Sequence, residues 1–278
     1  MRIDEIISKA LIEDIQDGDH TSLSTIPFDA QGKAKLLVKE EGIIAGIRIA
    51  RKVFSQVDPF IKFIQYINDG ENVKAGDVIF EVSGKSISIL SAERLALNFM
   101  QRMSGIATTT HKYVKLLKGT DAKILDTRKT TPNFRILEKE AVLLGGGRNH
   151  RMGLYDMIMI KDNHVDFAGG IKQAIEATKE YLKSLDKELK IELEVRNFEE
   201  LDEALLVGEI DRLMLDNFSP EDLAKAVKQI NGKFETEASG GITIDTIRKY
   251  AETGVDYISV GALTHHIKSL DLSLKAIS

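Results

Sequence analysis

From Gly119 onward the chain reads as strand, helix, strand, helix. KILDTR, YDMIMIK, KIELEV, RLMLD, FETEASG and VDYISVG are short apolar runs of strand length, each separated from the next by a segment of helical period and length. Few folds accommodate such a text. Parallel strands need crossover connections, a helix is the usual one, and the crossovers take the right-handed sense, so the expected product is a parallel α/β barrel or sheet. Six strands are too few for a closed eightfold barrel. Either the barrel is incomplete or one strand is hidden in the text.

The first hundred residues have another rhythm. Ile3, Ile6, Ile7, Ala10, Leu11 and Ile15 follow helical spacing and predict an amphipathic first helix that ends at the turn-rich DGDHTS of 17–22. From Lys33 to Gly84, KAKLLVKE, FIKFIQYI and VIFEVSG, broken by EEG, NDGEN and KAGD, predict antiparallel strands. SAERLALNFMQRMSG at 91–105 restores a helical period, with Ser91 as a lone cap. A first domain over 1–105 is expected, the tail DLSLKAIS (within 268–278) returning to it as a strand, with the barrel over 106–267.

Composition excludes several function classes. With Lys+Arg 38 against Asp+Glu 43, the net charge is −5, which gives no basic footprint for a nucleic-acid backbone. The chain has no Cys, and so neither disulfides nor thiolate metal sites nor a cysteine nucleophile. Asp4, Glu5, Glu13 and Asp14 make the N-terminus unlike a signal peptide, and no apolar run approaches membrane-spanning length. The expectation is a cytoplasmic protein with no nucleic-acid or membrane partner.

Against that acidic background, LDTRKTTPNFRILEKEAVLLGGGRNHR at 125–151 gathers Arg128, Lys129, Arg135, Lys139, Arg148, His150 and Arg151 around three glycines. A solvated face is one explanation, and EKE at 138–140 reads as ordinary exposed helix. The other is a small anionic ligand, since Arg and Lys beside flexible backbone suit carboxylates and phosphates.

Barrel enzymes carry their reactive groups at the carboxyl ends of the parallel strands. The six proposed strands end in Asp126 to Lys129, Lys161 with Asp162, Glu194 with Arg196, Asp216, Ser239-Gly240-Gly241, and Gly261. Glu194 and Asp216 stand on different strands and could converge on a hard cation, Mg²⁺ shared with a phosphorylated substrate, though each could equally be a solvated acid or a salt-bridge partner. SGG at 239–241 and GALTHH at 261–266 have the form of a paired phosphate grip; a lone SGG is also what a tight turn needs. His150, His164, His265 and His266 lack zinc-site spacing.

LNFMQRMSGIAT (97–108), DTRKTTP (126–132), GGGRNHRMGL (145–154), IKDNHV (160–165), LDNF (215–218), SGGI (239–242) and YAETGVDYISVGALTH (250–265) together resemble the quinolinate phosphoribosyltransferases, and EDIQDGDHTS at 13–22 resembles the family's N-terminal signature. The resemblance covers nearly the whole chain. It implies an enzyme that joins quinolinate to 5-phosphoribosyl-1-pyrophosphate with decarboxylation, using Mg²⁺, for NAD synthesis. It also implies an N-terminal α/β sandwich followed by an open α/β barrel, and a homodimer with a shared active site, higher assembly being left open. By that resemblance quinolinate is held by Arg128, His150, Arg151 and Lys161, with Arg94 given by the other subunit. Phosphoribosyl and metal contacts fall on Lys129, Glu194, Asp216, Ser239, Gly240, Gly241, Gly261 and His265. Catalytic roles go to Lys129, Lys161, Glu194 and Asp216, and metal binding to Glu194 and Asp216.

Two positions depart from the family pattern. Asn133 stands where glycine is usual, and Asn tolerates left-handed backbone; His266 stands where serine is expected. Three rivals remain at this point. A paralogue for another aromatic carboxylate would lose part of the carboxylate clamp, a phosphate sensor would have no need of Glu194 and Asp216, and a sugar-phosphate lyase or isomerase would release no pyrophosphate.

Overall fold

The computed structural model describes residues 2–277. In chain order its elements are α1 (Ile3–Ile15), α2 (His20–Thr25), β1 (Gln31–Val38), β2 (Gly42–Ile43), α3 (Ile47–Val57), β3 (Lys62–Gln65), β4 (Asn72–Val73), β5 (Val78–Lys85) and α4 (Ser86–Leu116). There follow β6 (Lys123–Leu125), α5 (Arg135–Leu144), β7 (Ile158–Ile160), α6 (Asp162–Ala168), α7 (Ile171–Ser184), β8 (Ile191–Val195), α8 (Phe198–Val207), β9 (Arg212–Asp216) and α9 (Pro220–Ile230). The last are β10 (Glu235–Ser239), α10 (Ile247–Ala251), β11 (Tyr257–Ser259), α11 (Ala262–His265) and β12 (Leu272–Ile277). Two compact units result, one formed by the chain up to Lys112 with Thr130–Gly146 and the stretch from Leu263 on, the other by Tyr113–Lys129 and Gly147–Ala262.

The first unit holds an antiparallel sheet in the order β12-β1-β5-β3. Alternation in β1 turns Ala34, Leu36 and Val38 inward, and the tail strand pairs with it from Lys33↔Ile277 to Val38↔Leu272. Part of the Lys33–Gly84 text is helical, which corrects the all-strand reading. In α3, Ile47, Ala50, Val53 and Phe54 are buried at helical spacing, and the Asp69 carboxylate accepts the N–H of Ile47 at 2.9 Å at the helix start. The β-branched residues at its start imitate a strand; the period and the distant cap make it a helix.

Helix α4 begins at Ser86, directly after β5, so Ser91 lies inside it rather than at its cap. Its hydroxyl instead donates to Asp19 Oδ2 at 3.3 Å. The expectation of an exposed EKE segment also fails. Glu138 and Lys139 are fully buried in α5, so Lys139 is no surface cation. Glu138 accepts from Arg102 Nε (2.8 Å) and Nη2 (2.6 Å) and from the N–H of Thr131 (3.1 Å), and this paired, hydrogen-bonded arrangement is what permits a carboxylate in the interior. Arg135 donates to Thr130 Oγ1 at 2.9 Å, and Arg148 is exposed.

In the second unit six strands form one parallel sheet in the order β6-β11-β10-β9-β8-β7. They are the six read from the sequence. Their order is that of a barrel opened between β6 and β7, which pair with β11 and β8 but not with each other, so the barrel is incomplete rather than missing a strand from the text. Period-two alternation divides the strands into two rows. One row, Leu193, Leu213, Leu215, Ala238 and Ile258, is apolar and buried, each side chain stabilising the unit by roughly 1.5–3 kcal/mol where a full Leu or Ile is withdrawn from water. The other row carries Glu192, Glu194, Arg212, Met214, Asp216, Glu235, Glu237 and Ser239, and most of it is buried as well. A charged row inside a parallel sheet is costly and needs internal partners.

Candidate active site

The charged row supplies those partners. Register aligns Glu192 with Arg212 and Arg212 with Glu235. Arg212 Nη1 donates to Glu237 Oε2 at 3.1 Å and Nη2 to Glu235 Oε2 at 3.0 Å, while its guanidinium lies 4.2 Å from the centroid of the Tyr257 ring. One ladder step toward the carboxyl ends, Lys161 Nζ donates to Glu194 Oε2 at 2.5 Å. Glu194 pairs in register with Met214, so Asp216 stands two residues further along the adjacent strand on the same face. Ser239 is aligned with Asp216, and the backbone beyond them is joined by the Asn217 N–H donating to Ser239 O at 2.8 Å.

After β6 the chain is stitched to the stretch that brings in His150 and Arg151. Leu125 and Arg148 form a parallel bridge, the N–H of Arg148 donating to Ile124 O (2.9 Å) and that of Asp126 to Arg148 O (3.1 Å). Asp126 is fully buried, and its carboxylate accepts the N–H of His150 at 2.8 Å. These bonds hold the residues after β6 beside the 148–151 stretch, and Arg128 lies close enough to Arg151 for their charges to interact. Burial, and then the Arg128 guanidinium, lower the pKa of Arg151. The Glu192 and Asp156 charges act on Arg151 in the opposite sense.

His150 is buried beneath them. Its Nε2 is 2.9 Å from Glu192 Oε2 and 3.4 Å from Glu237 Oε2, and its Nδ1 accepts the main-chain N–H of Arg151 at 2.7 Å. Burial works against a charged ring; the two carboxylates outweigh it and raise the pKa. The Arg151 N–H opposes this, because a nitrogen that accepts a hydrogen bond carries no proton; with that bond in place the ring is neutral and its proton lies on Nε2, 2.9 Å from Glu192 Oε2 but without the alignment of a hydrogen bond. Glu192 takes up the remaining proton affinity, its pKa pushed up to about 7 by burial and by the Glu237 charge, whereas His150 and Arg212 keep the buried Glu237 below its ordinary value.

Of the residues singled out in the sequence, Arg128, Lys129, His150, Arg151, Lys161, Glu194, Asp216, Ser239, Gly240, Gly241 and Gly261 belong to the second unit; Arg94 and His265 belong to the first. Lys129 is exposed, and Lys161, Asp216, Ser239, Gly240 and Gly261 are half-buried. Arg94 is exposed on α4, and its side chain makes no hydrogen bond or ion pair among the described residues. Asn133 adopts the left-handed conformation its glycine-like place requires, at φ 62°. His266 Nδ1 lies 2.6 Å from His265 Nδ1. Sequence reasoning missed Glu192, Arg212 and Glu237, and named Asp126 at a strand end without giving it a role. The signal was the acid pair two apart in IELEV and again in FETEAS, which places both acids of each strand on one face.

Oxygen donors on neighbouring strands suit a hard cation. Glu194 and Asp216 together leave most coordination positions to phosphate oxygens and water, which is how Mg²⁺ is commonly held, so the residues present fit that ion. A cavity of about 350 Å³ next to β7, lined by Arg151, Met157, Ile160, His164, Ala174 and Thr178 among others, is largely apolar and lies to one side of this charged row. No helix among the described residues is long and apolar enough to cross a membrane.

Known proteins match the chain over most of its length. Residues 19–104 match the model of the N-terminal domain of quinolinate phosphoribosyl transferase, and residues 106–275 that of its C-terminal domain. Among curated relatives, a decarboxylating quinolinate phosphoribosyltransferase (1b) of Nicotiana tabacum is 48% identical over 97% of this chain and 81% of its own length. A probable carboxylating nicotinate-nucleotide pyrophosphorylase of Bacillus subtilis is 43% identical over 99% of this chain and 93% of its own. Among solved structures, NadC from Streptococcus pyogenes superposes with a TM-score of 0.94 at 39% identity, covering 99% of this chain and 97% of that one. The nicotinate-nucleotide pyrophosphorylase from Francisella tularensis gives 0.93 at 44%, covering 99% and 96%. With both domain models matched in order and relatives of this similarity aligned from end to end, the chain belongs to the quinolinate phosphoribosyltransferase family.

Proposed function

We propose that the carboxyl ends of the parallel strands are where this enzyme joins quinolinate to 5-phosphoribosyl-1-pyrophosphate, giving nicotinate mononucleotide, pyrophosphate and carbon dioxide for NAD synthesis. The observation that carries the reading is the stitching of β6 to the 148–151 stretch, which holds the run from Asp126 to Lys129 beside His150 and Arg151 in a chain of net charge −5. Quinolinate has two adjacent carboxylates, and guanidinium groups meet carboxylates through charge-assisted bonds, each worth roughly 1.5–3 kcal/mol net. Arg128, Arg151 and Lys161 grip the two carboxylates around His150, and Arg94 completes the clamp from a second copy of the chain.

The clamp orients the pyridine nitrogen toward the anomeric carbon, which it attacks as pyrophosphate departs. Lys129, with Ser239, Gly240, Gly241 and Gly261, receives the phosphate groups, and the lysine charge answers the negative charge growing on the leaving group. Glu194 and Asp216 would hold Mg²⁺, which when bound neutralises charge on the pyrophosphate. Lys161 serves two partners in turn. In the free protein its ammonium is held by Glu194 at 2.5 Å, and an arriving carboxylate competes for the same donor. After the bond to the ring nitrogen forms, the 2-carboxylate leaves as carbon dioxide; the electron pair of the broken bond stays at C2, stabilised by the adjacent cationic nitrogen, until C2 takes a proton from water, and no covalent bond to the protein is needed.

A homodimer is part of the same proposal. Arg94 supports it, being exposed and without a hydrogen bond or ion pair among the described residues, as do the exposed Leu154, Tyr155 and Phe167 on either side of β7 in the chain. A cytoplasmic location is also part of it, and cell fractionation tests that point.

The direct test is to mix the protein with quinolinate, the phosphoribosyl donor and Mg²⁺ and to follow carbon dioxide and nicotinate mononucleotide. Neither product appearing would refute the reading. For the shared site, Arg94→Ala and Lys161→Ala homodimers should each be nearly inactive. A verified heterodimer of the two places both changes in one site and neither in the other, and should recover up to about half of wild-type activity. A heterodimer as inactive as its parents would exclude donation of Arg94 between subunits.

A further inference from the structure

Taking the assignment of Arg151 to quinolinate as its premise, we infer that Glu192 and Glu237 are positioning residues: through the His150 ring they fix the main chain of Arg151, and with it the guanidinium that meets a substrate carboxylate. Neither acid reaches a strand end. Glu192 and Glu237 are fully buried on β8 and β10, and their carboxylates converge on one nitrogen, His150 Nε2, at 2.9 and 3.4 Å. The opposite ring nitrogen accepts the Arg151 N–H at 2.7 Å. An imidazole is rigid, so fixing Nε2 fixes the direction in which Nδ1 offers its lone pair, and that lone pair sets the peptide plane entering Arg151.

The rest of the local structure leaves little slack in this linkage. The N–H of His150 is tied to Asp126 at 2.8 Å, and Arg151 Nη1 donates to Met157 O at 3.2 Å. The turn beyond is closed by Asp156, which accepts the N–H groups of Met152 (2.7 Å) and Gly153 (2.8 Å). Arg212, donating to Glu237 at 3.1 Å, supplies the fixed cation that lets a carboxylate remain charged there. The contacts of the two acids with Nε2, at 2.9 and 3.4 Å, restrict rotation of the His150 ring by charge and close approach rather than by an aligned hydrogen bond.

The ligand atoms of His150, Glu192 and Glu237 lie within 4.8 Å of one another, a spacing that a metal ion could also use. Two observations favour the positioning role. Nε2, the nitrogen facing the acids, carries the proton because Nδ1 accepts a bond, so it has no lone pair for a metal. Arg212 already donates to the Glu237 oxygen nearest His150.

The test compares full-length Glu192→Leu and Glu192→Gln with wild type, with Arg151→Ala as control. Loss of the acceptor in the leucine variant should raise KM for quinolinate by about tenfold or more while KM for the phosphoribosyl donor stays within about twofold, the pattern of a contact serving one substrate. The glutamine variant keeps the shape of the side chain and an amide oxygen beside Nε2, and should return KM for quinolinate to within about threefold of wild type. An equal rise in both KM values, or a glutamine variant as impaired as the leucine one, overturns the role. Nitrogen-15 NMR of histidine in the wild-type protein gives a second measurement that requires no variant to fold. His150 should be protonated at Nε2 and bare at Nδ1, and a protonated Nδ1 would overturn the linkage. Stoichiometric metal in the purified protein that disappears in Glu237→Gln would also overturn it. If Arg151→Ala leaves KM for quinolinate unchanged, the site assignment fails first. If it raises that KM and Glu192→Leu does not, only the positioning role fails.

Discussion

The glycine pair after β10 allows two neighbouring substitutions to be set against each other. Gly241 has φ +60° with nothing within 4 Å of where a Cβ would stand, so Gly241→Ala should cost only the left-handed penalty, roughly 1–2 kcal/mol. Gly240 has φ +100°, outside that region, and an added Cβ would overlap Asn217, landing on its Oδ1 and lying 2.6 Å from its Cγ and 2.8 Å from its backbone nitrogen. The backbone there has little room to retreat, because the Asn217 N–H is bonded to Ser239 O at 2.8 Å and Asn217 itself is at φ 57°. Relief means breaking that hydrogen bond, about 1 kcal/mol, on top of about 1–3 kcal/mol of backbone strain. Gly240→Ala should therefore be less stable than wild type by about 2–4 kcal/mol, in a unit of this size a fall of about 4–16 °C in Tm, compared with a few degrees for Gly241→Ala. Because Asn217 Nδ2 also donates to Asp216 Oδ2 at 2.6 Å, Gly240→Ala should depress kcat as well. Paired thermal melts and turnover assays at saturating substrate read both effects. Melting points for the two variants within about 2 °C of each other would refute the steric reasoning.

Other outcomes follow from the same geometry. Nicotinate lacks the 2-carboxylate and would leave cations of the clamp unanswered, so turnover on nicotinate should be lower by about 10⁴-fold; comparable rates in a competition assay would contradict the clamp. Glu194→Gln and Asp216→Asn should abolish most Mg²⁺-dependent turnover while calorimetry finds quinolinate affinity nearly intact, and a parallel loss of both would mean these acids serve the pyridine side. Glu138→Ala leaves Arg102 without its buried partner and should destabilise the first unit by about 2–4 kcal/mol in urea titration, below the full buried-pair cost because the Arg102 side chain keeps 32% of its exposure. A change under about 0.5 kcal/mol would show that the pair contributes little.

Which parts of this molecule were legible follows from what a linear text records. Strand ends were legible. A parallel strand must stop, its last residue faces a loop, and the residue type there is printed in the chain, so Lys161, Glu194, Asp216 and Ser239 could be named before any coordinates. The six strands were legible for a similar reason, since apolar runs separated by helical segments leave few topologies. Helix α3 was not, because Ile43, Ile44, Ile47 and Ile49 look like strand residues and the cap that starts the helix, Asp69, is supplied by a residue far along the chain.

Charges in the interior show the limit most clearly. EKE reads as solvated because the cation that makes Glu138 tolerable in the core, Arg102, is 36 residues away. Arg212 and Glu237 are 25 residues apart, and nothing in RLMLD or FETEAS says that these side chains meet. Period does say on which face they lie. Glu192 with Glu194, and Glu235 with Glu237, put two acids on one face of each strand, and a parallel sheet, covered on both sides, cannot leave such a row to water. A buried acidic row must therefore have cations or protons opposite it. In this chain Arg212 and Lys161 are those cations, His150 carries a proton into the same row, and the chain that brings in His150 also delivers Arg151. The charge balance of the interior and the placement of Arg151 are thus one structural problem, solved by the same side chains.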